Sequence, residues 1–99
     1  MKIIWSPLAL ERVDEIVDYV AQENLEAARL PAIELFGAVE RLEKFPESGR
    51  IVPEVNRRNI REIIQGRYRI IYRVDAKQVA IFTVRHVRQR LLPDEITSP

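Results

Sequence analysis

The chain has 99 residues, 46% of them hydrophobic and 31% charged, which is the balance of a folded protein rather than a disordered one. It contains no cysteine and one histidine, which excludes disulfides and the cysteine-rich or histidine-rich metal sites. The formal net charge is only +1, yet residues 1–49 carry a net charge of −5 and residues 50–99 a net charge of +6. This division predicts an acidic side and a basic side that faces a partner.

The N-terminal residues predict a short strand followed by a helix. Residues 2–5 are rich in β-branched and aromatic side chains, as strands are. Ser6 is a good helix N-cap, and Pro7 suits the first helical position. Apolar residues then recur at positions 9, 13, 16, 17 and 20, which is the spacing of one helix face. We therefore expect a strand over 2–5 and a helix over about 7–22.

A second helix is expected after Asn24, a candidate cap, with an end near Phe45 and Pro46. Its apolar stripe runs through positions 28, 32, 35, 39 and 42. Pro31 lies inside this stripe and must either kink the helix or delay its start, because proline donates no backbone hydrogen bond. The short link between the helices predicts an antiparallel helical hairpin over about 7–45.

The second half of the chain predicts a β-meander. After a loop over 46–59, strands are expected at Ile60–Ile64, Arg67–Val74 and Gln78–Arg88, with turns at 65–66 and 75–77, so that the meander covers about 60–89. A tail, 91–99, follows without periodicity. We thus expect an α+β fold in a single domain over 1–99, with the helical hairpin packed on a small antiparallel sheet.

No apolar run is long enough to span a membrane, and the N-terminus lacks the apolar core of a signal peptide. We therefore expect a cytoplasmic protein that does not bind a membrane. No P-loop, dinucleotide-binding turn, nucleophile elbow or metal-binding motif is present either, so we expect neither a metal nor another cofactor.

Arginines are concentrated on one predicted sheet face and near the end of the last strand. In the middle strand, Tyr68 and Ile70 point to one side, whereas the arginines point to the other. Such a face recognises phosphates or an acidic protein segment, or else it is a solvated face whose charges prevent edge pairing. We favour recognition, because arginine rather than lysine is used throughout and we expect the acids to lie elsewhere. The candidate binding residues are Arg67, Arg69, Arg73, Arg85, Arg88 and Arg90.

Two further residues are candidates for chemistry. His86, among arginines, is either a general acid or base or a strand-end histidine that forms local hydrogen bonds, and the second reading is favoured for the residue alone. Glu54, in the basic loop, is either a catalytic base or an ion-pair partner of Arg57, Arg58 or Arg61, and the ion pair is favoured.

Several segments, in their order along the chain, resemble the ParE/RelE toxin superfamily over about residues 1–90. These are the strand that ends in Trp5, Asn24–Ala28, Phe45–Arg50, Val52–Glu54, Ile60–Ile64, Tyr68–Val74 and Val84–Arg88. The resemblance implies a toxin of a type II toxin–antitoxin module, with the fold expected above. It also implies a cognate antitoxin partner whose C-terminal segment wraps the toxin.

The resemblance leaves two subclasses. RelE-like members cleave mRNA in the ribosome, and Arg69, His86 and, more weakly, Arg61 match their catalytic positions, whereas Val87 stands where many carry an aromatic hydroxyl. ParE-like members inhibit DNA gyrase and are not enzymes. The loop sequence and the low net charge favour the ParE-like reading, with the ribonuclease second and a non-toxic antitoxin-binding module third.

Overall fold

The computed structural model describes residues 1–96, in which two helices pack on one face of a five-stranded sheet, and this confirms the predicted α+β fold. The elements are β1 (Lys2–Trp5), α1 (Pro7–Glu23), α2 (Leu30–Glu40), a 3₁₀ turn (Arg41–Glu43), β2 (Arg50–Ile51), β3 (Ile60–Gln65), β4 (Tyr68–Val74), β5 (Gln78–His86) and a 3₁₀ turn (Pro93–Glu95). Within residues 1–96, no helix is long and apolar enough to cross a membrane.

The sheet has the strand order β1-β5-β4-β3-β2. Strands β2 to β5 pair antiparallel, as the meander predicts, whereas β1 runs parallel to β5, with Ile3 opposite Val79. The sheet is therefore mixed rather than wholly antiparallel. The parallel pair is possible because the helical hairpin and three strands separate β1 from β5 along the chain.

Both helices begin where local chemistry favours a start. The Ala9 amide donates a 3.0 Å hydrogen bond to the Ser6 hydroxyl, which caps α1 as expected. Pro31 is the second residue of α2, so it delays the helix rather than kinking it. The Asn24 side chain instead caps the intervening turn, since it accepts the amide hydrogens of Glu26 and Ala27. Helix α2 ends at Glu40, earlier than the predicted end near Phe45.

The strands differ from the prediction mainly at their ends. Arg67 lies in the β3–β4 turn beside Gly66, whose φ of 59° belongs to the left-handed region that favours glycine. Strand β5 ends at His86, before the predicted Arg88. The predicted loop over 46–59 contains β2, a two-residue edge strand that pairs with β3.

The sheet is covered on both faces, whereas the sequence predicts a cover of helices on one face only. The helix-side core includes Ala9, Val13, Leu35, Val39, Ile70 and Tyr72. The opposite face has its own apolar cluster, formed by Val52, Ile60, Ile71, Ala80, Phe82 and Leu91. Val52 comes from the loop and Leu91 from the predicted tail, so both segments lie on the sheet. Residues 97–99 of that tail are outside the described part of the chain.

A close backbone approach occurs at Gly49, just before β2. Its amide donates a 3.0 Å hydrogen bond to the hydroxyl of buried Tyr72. A Cβ atom at this position would lie 2.4 Å from the Glu62 carbonyl oxygen and 2.6 Å from the Tyr72 hydroxyl. Both distances are shorter than real Cβ contacts, so a glycine is required where the loop enters the sheet.

Replacing Gly49 by alanine should therefore lower the free energy of unfolding by about 1–3 kcal/mol, as expected for overpacking. Gly37→Ala is the matched control, because a Cβ there has nothing within 4 Å. That change should leave stability unchanged or raise it by up to about 1 kcal/mol, since alanine is the better helix former. Urea unfolding of both variants makes the comparison, and equal effects of the two substitutions would contradict it.

Candidate functional site

Arg69 is the centre of a partly buried network of charges on the sheet face away from the helices. Its side chain is only 6% exposed. The Nε–H group donates to Oε1 of Glu62 at 2.6 Å, and the two terminal nitrogens donate to the two oxygens of Glu54, each at 2.8 Å. Glu62 is fully buried and also binds Arg50. The network thus joins β4, β3 and the loop that follows β2.

The same network holds the start of the tail. The backbone carbonyl of Gln89 accepts a 3.2 Å hydrogen bond from Arg69, and the amide of Leu91 donates to Glu54 at 3.2 Å. The hydrogen bonds from Arg69 are the largest influence on the Glu54 carboxyl and, against the opposing effect of burial, lower its pKa to about 2. The bonds from Glu54 likewise raise the pKa of Arg69. Both groups are therefore charged at neutral pH.

A second buried pair fixes the next part of the tail. Arg85 forms a two-pronged contact with Glu95, with distances between 2.6 and 2.9 Å. Thr83 and the amide of Leu92 also donate to this carboxylate, at 2.9 and 3.0 Å. Burial raises the pKa of Glu95, but the hydrogen bonds, led by that from Arg85, outweigh it and leave the pKa below its usual value.

The predicted arginine face is thus not a continuous exposed surface, and this expectation was wrong. Arg69 and Arg85 are bound by carboxylates from other segments, and Arg73 binds Asp75 and lies over the Phe82 ring at 5.2 Å. The acids are not elsewhere, as was expected, but on this face. Of the six candidate binding residues, the exposed ones are Arg67, Arg88 and Arg90.

The expected ion pair of Glu54 exists, but its partner was predicted wrongly. Glu54 binds Arg69, not Arg57 or Arg58, which are exposed, nor Arg61. The signal for this pairing was weak, because Glu54 and Arg69 are separated by two turns and a strand. Glu62 and Glu95, which are buried, were not among the predicted site residues. Alternation along β3 places Glu62 on the same face as Ile60, which was the available signal.

The structure does not bring Arg69, His86 and Arg61 together. His86 is on the helix side of the sheet, edge-on to the Tyr68 ring at 6.0 Å, and its Nδ1 accepts the amide hydrogen of Arg88. It lines a cleft of about 460 Å³ between α1 and the ends of β4 and β5. Arg61 donates to the Gly49 carbonyl at 2.9 Å beside the helix-side core. Arg69 is on the opposite face.

These positions decide what chemistry the groups can perform. Four of the five N–H donors of Arg69 are used within the chain. A general acid or base must lie within hydrogen-bond reach of the reacting atoms, and His86 is on the other side of the sheet from Arg69. Among residues 1–96, no group of three His, Cys, Asp or Glu side chains is placed to hold a metal ion.

Residues 3–91 match the family described as the ParE toxin of the type II toxin–antitoxin system parDE. The chain belongs to this family. A Sinorhizobium fredii protein named as a candidate toxin, Y4kP, is 33% identical over 91 residues, which is 90% of this chain and 91% of the relative. As a ParE-like protein, the chain is a toxin of a type II toxin–antitoxin system.

Two solved structures share the fold. One is the chromosomal ParDE toxin–antitoxin system of P. aeruginosa, with a TM-score of 0.75, 19% identity, and coverage of 87% of this chain and 95% of that one. The other is the RelBE2 toxin–antitoxin complex of Mycobacterium tuberculosis, with a TM-score of 0.52, 19% identity, and coverage of 86% and 95%. Both are toxin–antitoxin assemblies, and at this identity the likeness concerns the fold alone.

Replacing Arg69 by methionine should lower the free energy of unfolding by about 3 kcal/mol. The physical reason is that fully buried Glu62 keeps only the largely exposed Arg50 as a cationic partner, and a buried charge that has lost part of its compensation is costly. Arg67→Met is the matched control and should change stability by less than about 0.5 kcal/mol, because Arg67 is exposed in a turn. Chemical unfolding of the two variants tests this, and a mild effect of Arg69→Met would contradict a structural role.

The depressed pKa of Glu54 predicts a defined pH dependence. Its carboxyl has a pKa of about 2 in the folded chain against an ordinary value of 4.5, so its contribution is complete above about pH 4.5 and is lost as the pH falls toward 2. The stability of wild type relative to Glu54→Gln should therefore shrink as the pH is lowered from 5 to about 2. Unfolding curves across this range measure the difference, and parallel profiles of the two proteins would refute the assignment.

Proposed function

We propose that this toxin inhibits DNA gyrase, that it thereby stops replication, and that a cognate antitoxin neutralises it. The observation that carries the proposal is the match to the ParE family over residues 3–91, together with the earlier resemblance of the loop and strand segments to ParE-like members. The proposed action is binding to gyrase, without a chemical step of the toxin's own.

The geometry of the charged groups supports binding over catalysis. A ribonuclease must present a cation to the charge that develops on the phosphate, with a proton donor or acceptor nearby. Arg69, the candidate cation, is bound by Glu54 and Glu62, and His86 is on the other face of the sheet. This arrangement argues against the RelE-like mRNA endoribonuclease, the second candidate function, in which Arg69, His86 and Arg61 would act together.

We also propose that exposed arginines contact an acidic segment of the antitoxin. Arg67 and Arg88 are close together, because the amide of Val87 donates a 2.8 Å hydrogen bond to the Arg67 carbonyl. Arg90 follows in the same exposed stretch. Charges in such a position steer association and make it sensitive to salt. Arg69, Arg73 and Arg85 were predicted as binding residues too, but we assign them to holding the fold.

The gyrase proposal is tested with purified full-length toxin in a supercoiling assay. Stoichiometric toxin should inhibit supercoiling or cause cleaved DNA to accumulate, and an equimolar amount of cognate antitoxin should restore activity. A variant with Arg67, Arg88 and Arg90 all changed to glutamine should need about tenfold more antitoxin for this rescue. Unimpaired gyrase at a large excess of toxin would refute gyrase as the target.

Two parallel measurements test the other two candidate functions, the mRNA endoribonuclease and the non-toxic module that binds an antitoxin. In the first, the toxin is incubated with a translating extract and the mRNA is analysed. Cleavage of the mRNA by the wild type that is lost in His86→Ala would indicate a ribonuclease. Expression of the chain without antitoxin reports growth arrest. Normal growth would favour the third candidate, a module that binds an antitoxin but is not toxic.

A further inference from the structure

Helix α2 presents an apolar face to the outside that nothing in residues 1–96 covers. Residues 29, 33, 36 and 40 follow one another at spacings of four, three and four, so they share one side of the helix. All four are exposed, and the two central ones are large and apolar: Ile33 is 58% exposed and Phe36 40%. We call Arg29, Ile33, Phe36, Gly37 and Glu40 the α2 face.

Gly37 is the second unusual feature of the α2 face. Glycine in a helix interior lowers stability relative to alanine, so its presence there usually has a reason in packing. Within the described chain no such reason exists, because a Cβ atom at Gly37 would have nothing within 4 Å. At Gly49, by contrast, a Cβ atom would lie within 3.0 Å of three atoms. A bare backbone beside two exposed apolar side chains is suited to the close approach of another helix.

Phe36 also packs against another aromatic ring. Its ring lies 4.6 Å from the Trp5 ring, centroid to centroid, with an angle of 59° between the two planes. This contact limits the rotamers of Phe36 while leaving 40% of the residue exposed. A side chain that is already ordered loses less conformational entropy when a partner covers it, which favours binding at this position.

The charges at the ends of the α2 face indicate which helix would cover it. Arg29 is at the N-terminal end and Glu40 at the C-terminal end, and they are equally distant from the midpoint between residues 34 and 35. Two copies of the face, packed antiparallel about that midpoint, would place Arg29 of each copy opposite Glu40 of the other. Ile33 of each would then face Phe36 of the other. Parallel packing would instead bring like charges together.

We propose that the α2 face is a homodimer interface, in which the α2 helices of two copies of this chain pack antiparallel about a two-fold axis. Such an interface is isologous, so one patch with complementary ends is sufficient. The pattern of a cation, two apolar residues and an anion is complementary to itself only in this orientation. The proposal does not depend on the identity of the toxin's target.

The size of the α2 face sets the expected strength of the dimer. Helix α2 has 11 residues and is therefore only about 16 Å long. Two such helices cover less than the roughly 800 Å² per partner that stable complexes bury. The dimer should accordingly be weak, with a dissociation constant on the order of 100 μM, and should be populated only at high local concentration.

The first test is sedimentation velocity of the full-length chain between about 10 μM and 1 mM. The sedimentation coefficient should rise with concentration for the wild type and stay at the monomer value for Ile33→Asp. Leu10→Asp is the matched control, since Leu10 is 42% exposed on α1, and it should leave the dimer intact. Circular dichroism of each variant verifies the fold. A wild type that remains monomeric at 1 mM overturns the proposal and leaves the face to a helix of another protein.

Charge exchange tests the antiparallel arrangement. Arg29→Glu and Glu40→Arg should each weaken dimerisation by about threefold or more, because each creates like-charge contacts across the interface. The double variant should regain most of the wild-type affinity. Failure of the double exchange to restore the dimer would overturn the proposed pairing, even if a dimer of some other kind forms.

Disulfide trapping gives an independent readout, because the chain contains no cysteine of its own. A mixture of the Ile33→Cys and Phe36→Cys variants should form the mixed disulfide faster than either variant forms a disulfide with itself. Faster self-linking of both variants would indicate parallel helices and would contradict the proposal. Gly37→Leu should suppress the mixed disulfide without altering the folded monomer, since the position is open in the chain.

Discussion

The position of one guanidinium, that of Arg69, determines how the second face of the sheet is closed. A charge that is 6% exposed is tolerated only when it is paired and hydrogen-bonded. The chain meets this requirement with Glu62 from β3, Glu54 from the loop and the Gln89 carbonyl from the tail. Segments that are far apart in sequence must therefore meet over β4.

The apolar cluster on that face depends on the same pairing. Val52 is next to the Glu54 loop, and Leu91 has its amide on the Glu54 carboxylate, so the ion pairs bring both side chains onto Ile71 and Phe82. Arg85 and Glu95 repeat the arrangement one step further along the tail. The loop and the tail, which have little regular structure, are held here by charge pairs. This pairing explains why the arginines of β4 and β5 do not form a continuous exposed surface.

The sequence predicts the helices and long strands well, but it does not predict which segments cover the second face of the sheet. The difference has a physical reason. Apolar periodicity identifies α1, α2 and the three long strands, because each has at least one side buried in a continuous core. The alternation in β4 also assigns Arg69 to the face away from the helices correctly. It cannot tell whether that face is solvated, because its cover consists of the loop after β2 and the tail with its 3₁₀ turn, segments too short or irregular to show a period. The partners of Arg69 and Arg85 are set by tertiary contacts of the loop and tail, which no local spacing reports.

Two departures from the usual burial of residues are informative: charged residues that are buried, and large apolar residues that are exposed. Arg69, Glu62 and Glu95 are buried where they fasten the loop and tail, whereas Ile33 and Phe36 are exposed on α2. The first set has a sufficient explanation within the chain, because every member has a partner there. The second set has none within residues 1–96, and Gly37, which no neighbour approaches, lies beside it. The acidic helical side of the molecule is thus a candidate for partner contact as well as the basic side, and a complete account of the toxin's assembly has to include both.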